Sequence, residues 1–219
     1  MKLVIQIVLW IVILFLGWKL YSSVMAPVKF NEIKEARYAK VIENLKDIQA
    51  AELAHKEITG DFTGNWDSLI NFIETAKFAI TQRRDTSYAD VAKNRAFGID
   101  AGYFLEESLI DTLGFTPVKD SLYGTSTRYR TMMNVPVEGV DAKFELKAGK
   151  IVKNDATYSV FEAKVAKQTI LSDLDKDLLV QEKQVQSVDG VNGPNIKVGS
   201  MEDVNTAGNW PKLYDAAKE

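Results

Sequence analysis

Residues 3–18 read LVIQIVLWIVILFLGW, sixteen positions with Gln6 as the one polar side chain and no charge. A run of this length and purity is the pattern of a helix in lipid, not of a strand or a half-buried surface helix. Continued through Leu20, Tyr21 and Val24 to Met25 it reaches 23 residues, roughly 35 Å of helix at about 1.5 Å per residue and enough to cross a hydrocarbon core. Leu3, Trp10, Phe15 and Trp18 are then the membrane anchor. Lys19 sits near an interface, where its stem can snorkel outward, and Trp18 and Tyr21 suit an aromatic belt. A retained anchor is the favoured reading. Its rival is a cleaved signal peptide, since Val24-Met25-Ala26 resembles a small-residue cleavage site; Pro27 after the cut and two tryptophans in the run count against it. A buried core helix is the third reading.

A helical pattern resumes at once. From Asn31 onward Ile33, Val41, Ile42, Leu45, Ile48 and Leu53 recur mostly three or four residues apart, with charges such as Glu32, Lys34, Lys40, Glu43 and Asp47 between them. Ile33, Val41, Leu45 and Ile48 are read as the packing face of a stalk. Pro27 is expected to kink or break the helix just beyond the membrane, and Gly60 to end it. Asn65 reads as the N-cap of a second helix, with Asp67 in its first turn and Leu69, Ile70, Phe72 and Ile73 on its buried face.

The remaining residues read as mostly β. A strand is expected over 78–82, an extended segment over 112–118, a turn over 120–124 and a strand over 129–137. A hairpin is expected around Ala148-Gly149, with strands over 158–166 and 195–199. Residues 83–100 resist assignment, and 171–179 suit a short helix or a loop. The fold class is α+β: a transmembrane helix over 1–28, a helical stalk and second helix over 29–77, a mainly antiparallel β-rich domain over 78–208, and a charged mobile tail over 209–219.

Composition narrows the function. The chain has 219 residues, 46% apolar and 26% charged, ordinary for a folded protein. It carries 27 basic against 30 acidic residues and no long basic block, which argues against nucleic-acid binding. With no cysteine it has no disulfide, thiolate metal site or cysteine nucleophile.

Leu3 to Leu69, with Pro27 at a plausible kink and Arg37, Ile48, Ala51, Gly60, Phe62 and Leu69 around a helix that ends in a glycine–aromatic loop, resembles the type IV pilins and the pseudopilins of type II secretion. In those families an apolar N-terminal helix continues into an amphipathic one, followed by a loop and a small antiparallel sheet. The resemblance implies an envelope subunit that assembles through protein contacts. Prepilins carry a short basic leader and a glutamate five positions into the helix, whereas here the run begins at Leu3 and the first glutamate is Glu32. The expectation is therefore a permanent tether.

No catalytic or metal constellation is expected. His55 is the single histidine, and Ala51, Glu52 and Thr59 on its face make no triad. Asp173, Asp175 and Asp177 alternate like a calcium loop, but Leu178 and Gln184 stand where glycine and an acid belong. Gly190 to Pro194 is a turn without the lysine and hydroxyl of a phosphate loop. Arg83-Arg84 is expected to form surface salt bridges. Arg128, Tyr129, Arg130 and Trp210 are the candidate partner contacts.

The function expected is a single-pass anchored structural or assembly subunit of the cell envelope, non-enzymatic, without cofactor or nucleic acid, whose partners are membrane lipid, other envelope proteins or itself. The alternative is an anchored accessory domain that recruits a soluble partner or ligand. Lys29, Lys34, Arg37 and Lys40 after the span would hold the C-terminal domain in the cytoplasm if counted literally. The short N-terminal tail with its single Lys2 favours export, and an extracytoplasmic domain is the working expectation.

Overall fold

A computed structural model describes residues 2–100 and 102–214. Its elements run α1 (Lys2–Thr59), α2 (Trp66–Thr75), β1 (Lys77–Ala89), α3 (Val91–Ala96), β2 (Phe104–Pro117), α4 (Val118–Tyr123), β3 (Glu145–Lys153), β4 (Ala156–Ala166), α5 (Lys167–Ile170), α6 (Lys176–Lys183) and β5 (Asn195–Gly199). The protein is α+β, with a long apolar N-terminal helix and antiparallel sheets. The chain divides into two compact units. One joins the residues up to Ile70 with those from Thr127 onward; the other is Asn71–Ser126. Among the described residues the strands of 77–117 pair only with each other.

In the first unit α1 runs unbroken for 58 residues with Pro27 inside it. The expected break does not occur: proline withholds one amide donor, and the helix continues on both sides of the lost bond. From Tyr38 the helix enters the core. Tyr38, Val41, Ile42, Leu45, Ile48 and Ala51 are all buried, and α1 packs against β4 and β5. The buried residues of 38–54 therefore belong to the core of this unit. Ile33, expected on the packing face, remains 38% exposed, whereas Phe30, one turn earlier, is buried.

The sheet is antiparallel in the order β3-β4-β5. Val160, Phe161, Glu162 and Ala163 of the central strand are buried in succession, the mark of a strand covered on both faces. Gly199 closes the strand at φ +75°, and a Cβ there would lie 2.2 Å from the Phe161 carbonyl oxygen, so only glycine fits.

Three local expectations change. The hairpin does not turn at Ala148-Gly149. β3 runs through both, and the turn is Asn154-Asp155, at φ 51° and 60°, the left-handed pair that a two-residue hairpin loop needs. Residues 129–137 form no strand. A single 3-10 turn over Arg128–Arg130 and an isolated bridge from Asn134 to Lys143 replace it, because Pro136 cannot donate to a ladder. Residues 118–123 coil into α4 instead of a turn.

In the second unit β1 and β2 form a two-stranded antiparallel ribbon, with Leu113 extra on β2 where the register shifts at Ile80/Thr81. Polar residues 83–89, which had no clear assignment, continue β1. At the far end Asn94 holds the turn together. Its side chain donates to the Tyr103 carbonyl at 3.0 Å and accepts from the Tyr103 amide at 2.8 Å.

Candidate functional site

The first candidate is the surface of α1 before the core. Every residue from 2 to 21 is exposed, including Leu3 (70%), Trp10 (61%) and Trp18 (63%). Phe15 and Trp18 lie with ring centroids 6.4 Å apart, and Lys19 follows on the same exposed stretch. The helix is long and apolar enough to cross a membrane. Leaving such a surface in water is unfavourable by about 25 cal/mol per Å² of apolar area, a property shared by a membrane anchor and a signal sequence.

The second candidate is the β1–β2 ribbon. No residue of either strand is buried, and Leu109, Ile110, Leu113 and Phe115 are 46% to 67% exposed. Arg83 pairs with Asp85 at 2.9 Å, and Arg84 with Asp111, the surface salt bridging expected of that basic pair.

A third feature lies inside the first unit and was not read from the sequence. Lys167 has no exposed surface. Its ammonium donates to the Glu182 carboxylate at 3.0 Å, to the Glu182 carbonyl at 2.8 Å and to the Val191 carbonyl at 2.7 Å, so all three protons are placed. Glu182 also accepts from Tyr38 at 3.3 Å and Lys34 at 3.0 Å. The network ties α1 to α5 and α6. Burial pulls the Lys167 ammonium below its ordinary pKa against the pull of Glu182. Burial pushes the Tyr38 phenol up, and Glu182 adds to the shift. Glu182 thus serves two ammonium groups, and the three protons of the buried Lys167 all have acceptors, the arrangement of a fastening between elements.

Glu52 is the opposite case. It is fully buried, its Oε2 accepts from the Thr63 amide at 3.0 Å, and its Oε1 has no hydrogen-bond partner among the described residues. Burial raises its carboxyl to about 8, opposed by the Thr63 hydrogen bond. A sequence signal existed: Glu52 falls four residues after Ile48, in the row of Val41, Leu45 and Ile48. It anchors the loop after α1, where Phe62 packs on Phe161 at 4.7 Å and donates its amide to Ser159 at 3.0 Å. His55 closes the helix end by donating from Nδ1 to the Asp61 carbonyl at 2.6 Å.

The candidate partner contacts separate. Arg128 pairs with Asp47 at 2.6 Å, and burial still holds the Asp47 carboxyl above its usual range. Tyr129 is fully buried, so it is a core residue and not a partner contact; the 3-10 turn directs its ring inward. Arg130 stays exposed, 5.8 Å from the centre of that ring. Trp210 is half-buried and lies over Gly208, where a Cβ would come within 2.4 Å of the indole. The tail makes hydrogen bonds as far as Tyr214. Asn209 donates to the Asn192 and Asn195 carbonyls at 2.8 Å, and Lys46 donates to the Tyr214 carbonyl; residues 215–219 lie outside the described residues. Asp173 forms a bidentate pair with Arg37 at 2.5 and 2.8 Å, which holds its carboxyl below the ordinary range. Asp175 caps α6.

A cleft of about 580 Å³ lies beside β4 and β5, lined by Lys147, Lys164, Lys197 and Glu162 among others. Its lysines already pair with Glu145 and Glu162. Burial opposes ionisation of Glu162, but Lys164 and Lys197 outweigh it and hold the carboxyl low. The cleft presents matched charge and no reactive group.

No family model, curated protein or solved structure matches this chain.

Proposed function

We propose that the chain is a single-pass, membrane-anchored structural or assembly subunit of the cell envelope, with residues 3–25 in the bilayer and the residues after them outside the cytoplasm. The observation that carries the reading is the apolar surface of residues 3–21, exposed along its length and free of charge between Leu3 and Trp18. A bilayer removes that surface from water over the length such a helix needs. Exposed apolar side chains on the ribbon supply a second surface, which favours assembly over catalysis. The resemblance of Leu3 to Leu69 to the pilins, read from the sequence alone, points to the same role.

The test is an alkaline wash of membranes from cells that make the full chain, with the intact mass of the extracted protein. Retention in the pellet at full-chain mass is expected. Release into the supernatant, or a mass that begins after Ala26, overturns the anchor. A reporter fused after Glu219 checks the exported orientation, and a cytoplasmic signal overturns that part.

A further inference from the structure

We propose that the β1–β2 ribbon binds a second copy of this chain edge to edge, the basic outer edge of β1 against the acidic outer edge of β2, so that copies join head to tail. This rests on the assembly reading above and names the partner.

Each strand pairs only with the other, so both outer edges present unpaired backbone donors and acceptors among the described residues. Such edges are templates for strand addition. The two edges differ in charge. β1 carries Lys77, Arg83 and Arg84 against Asp85 alone, while β2 carries Glu106, Glu107 and Asp111 with no base. Within the ribbon Glu106 faces Ser87 and Glu107 faces Thr86, and neither glutamate has an ion-pair partner among the described residues.

Charge selects among the ways two ribbons can join. Joining β2 to β2 would gather Glu106, Glu107 and Asp111 against their own copies. Joining β1 to β1 would gather the arginines. Like charges set opposite each other in a ladder destabilise it. Joining β1 to β2 brings Arg83 and Arg84 to an acidic strand, as Arg84 already meets Asp111 inside one ribbon. It also repeats the antiparallel sense of the ribbon itself. Rows of Leu109, Ile110 and Phe115 would then continue from copy to copy, where a lone two-stranded ribbon leaves them in water. Because the two edges differ, the contact leaves a fresh edge at each end and builds an open row rather than a closed pair.

The absence of cysteine makes the test direct. Full-length chains bearing Thr81→Cys on β1 are mixed with size-tagged full-length chains bearing Thr112→Cys on β2, in detergent, and treated with a flexible bismaleimide. Cross-links between the two variants should exceed those within either variant by about tenfold, as like-charge juxtaposition disfavours the symmetric contacts. Arg83→Glu with Arg84→Glu should abolish them, and adding Glu106→Lys with Glu107→Lys to the same chain should restore them, an outcome an unfolded ribbon cannot give. Dominant same-variant cross-links, no cross-links, or loss without restoration overturns the proposal. Chains that stay in washed membranes yet give no cross-links leave the anchor standing and sink the ribbon contact. Chains that cross-link but wash free do the reverse.

Discussion

In the unit built on α1 and the β3–β4–β5 sheet, four successive residues of the central strand, Val160 to Ala163, are buried. In the β1–β2 ribbon not one residue of either strand is. Both regions are antiparallel and both are rich in Leu, Ile and Phe, so composition does not separate them. The difference is what each strand has beside it. β4 has a strand on either side and α1 packed against it, whereas among the described residues β1 and β2 pair with no third strand. The first region holds its shape through burial; the second has side chains of the same kind with nothing to bury them. Mutations should therefore cost stability in the first region and association in the second.

The largest effect is expected where burial and charge coincide. Glu182→Ala removes the partner of a fully buried Lys167 and of Lys34 and Tyr38. Leaving a buried ammonium unpaired should cost about 3–5 kcal/mol, read as a fall in the urea midpoint of the full chain. A cost under about 1 kcal/mol would mean that Lys167 reaches water, and the contrast between the two regions would weaken.

Next comes a pH effect from Glu52. Its carboxyl is raised to about 8 from an ordinary 4.5, so the folded chain holds this proton more tightly than the unfolded chain. Its stability contribution is full below about 4.5 and is lost as pH rises through about 8. The loss should be on the order of 4–5 kcal/mol at most. Glu162 and Asp173 are held low instead, so their contributions vanish as pH falls. The effect is therefore read as the difference between the wild type and Glu52→Gln, which should grow from pH 5 to pH 8. A constant difference would place Glu52 in contact with solvent.

Much of the first region was legible in the sequence because its signals are local. The spacing of Val41, Leu45 and Ile48, the Gly60 stop and the Asn65 cap, which accepts from the Ser68 amide at 3.1 Å, each act within one or two turns. β5 appeared at 195–199 as expected. The misses need information from elsewhere in the chain. Nothing near Lys167 announces that Glu182 and Val191 will enclose it. Nothing in Arg128-Tyr129-Arg130 says that the tyrosine alone turns inward. Ala148-Gly149 looked like a turn, but Asn154-Asp155 supplied the two left-handed residues, a signal present in the sequence and outweighed there by the glycine. For the candidate site, the anchor stretch was visible as composition. The ribbon was not, because residues 83–89 are polar and become a strand only through pairing with β2.

A smaller effect tests the helix ends. Asp175 accepts from the Asp177 amide at 2.9 Å and the Leu178 amide at 3.1 Å, and Asp175→Ala should cost about 1 kcal/mol. Because α6 carries Glu182, the same variant should also lower the melting temperature of Glu182→Ala by less than it lowers that of the wild type, since residues sharing one network do not add. Full additivity would separate the cap from the buried network.

The smallest effect on folding should come from the ribbon, and it is the most informative. Ile110 and Phe115 are each 67% exposed, so Ile110→Ser with Phe115→Ser deletes apolar surface that folding never buried. Substitutions of that kind usually stay within about 0.5 kcal/mol of the parent. The same change removes side chains that would form a continuous row only when ribbons meet. Urea midpoints should therefore scarcely move while cross-linking between Thr81→Cys and Thr112→Cys chains falls several-fold. A drop in stability comparable to that of Glu182→Ala would instead mean that these residues are buried within the chain in solution, and the ribbon would join the first region as a part of the folded core. A change in neither property would leave the edges and their charges as the whole of the contact. The ribbon is thus the one place where folding and assembly are expected to separate, because its apolar side chains contribute to a surface that a single chain cannot complete.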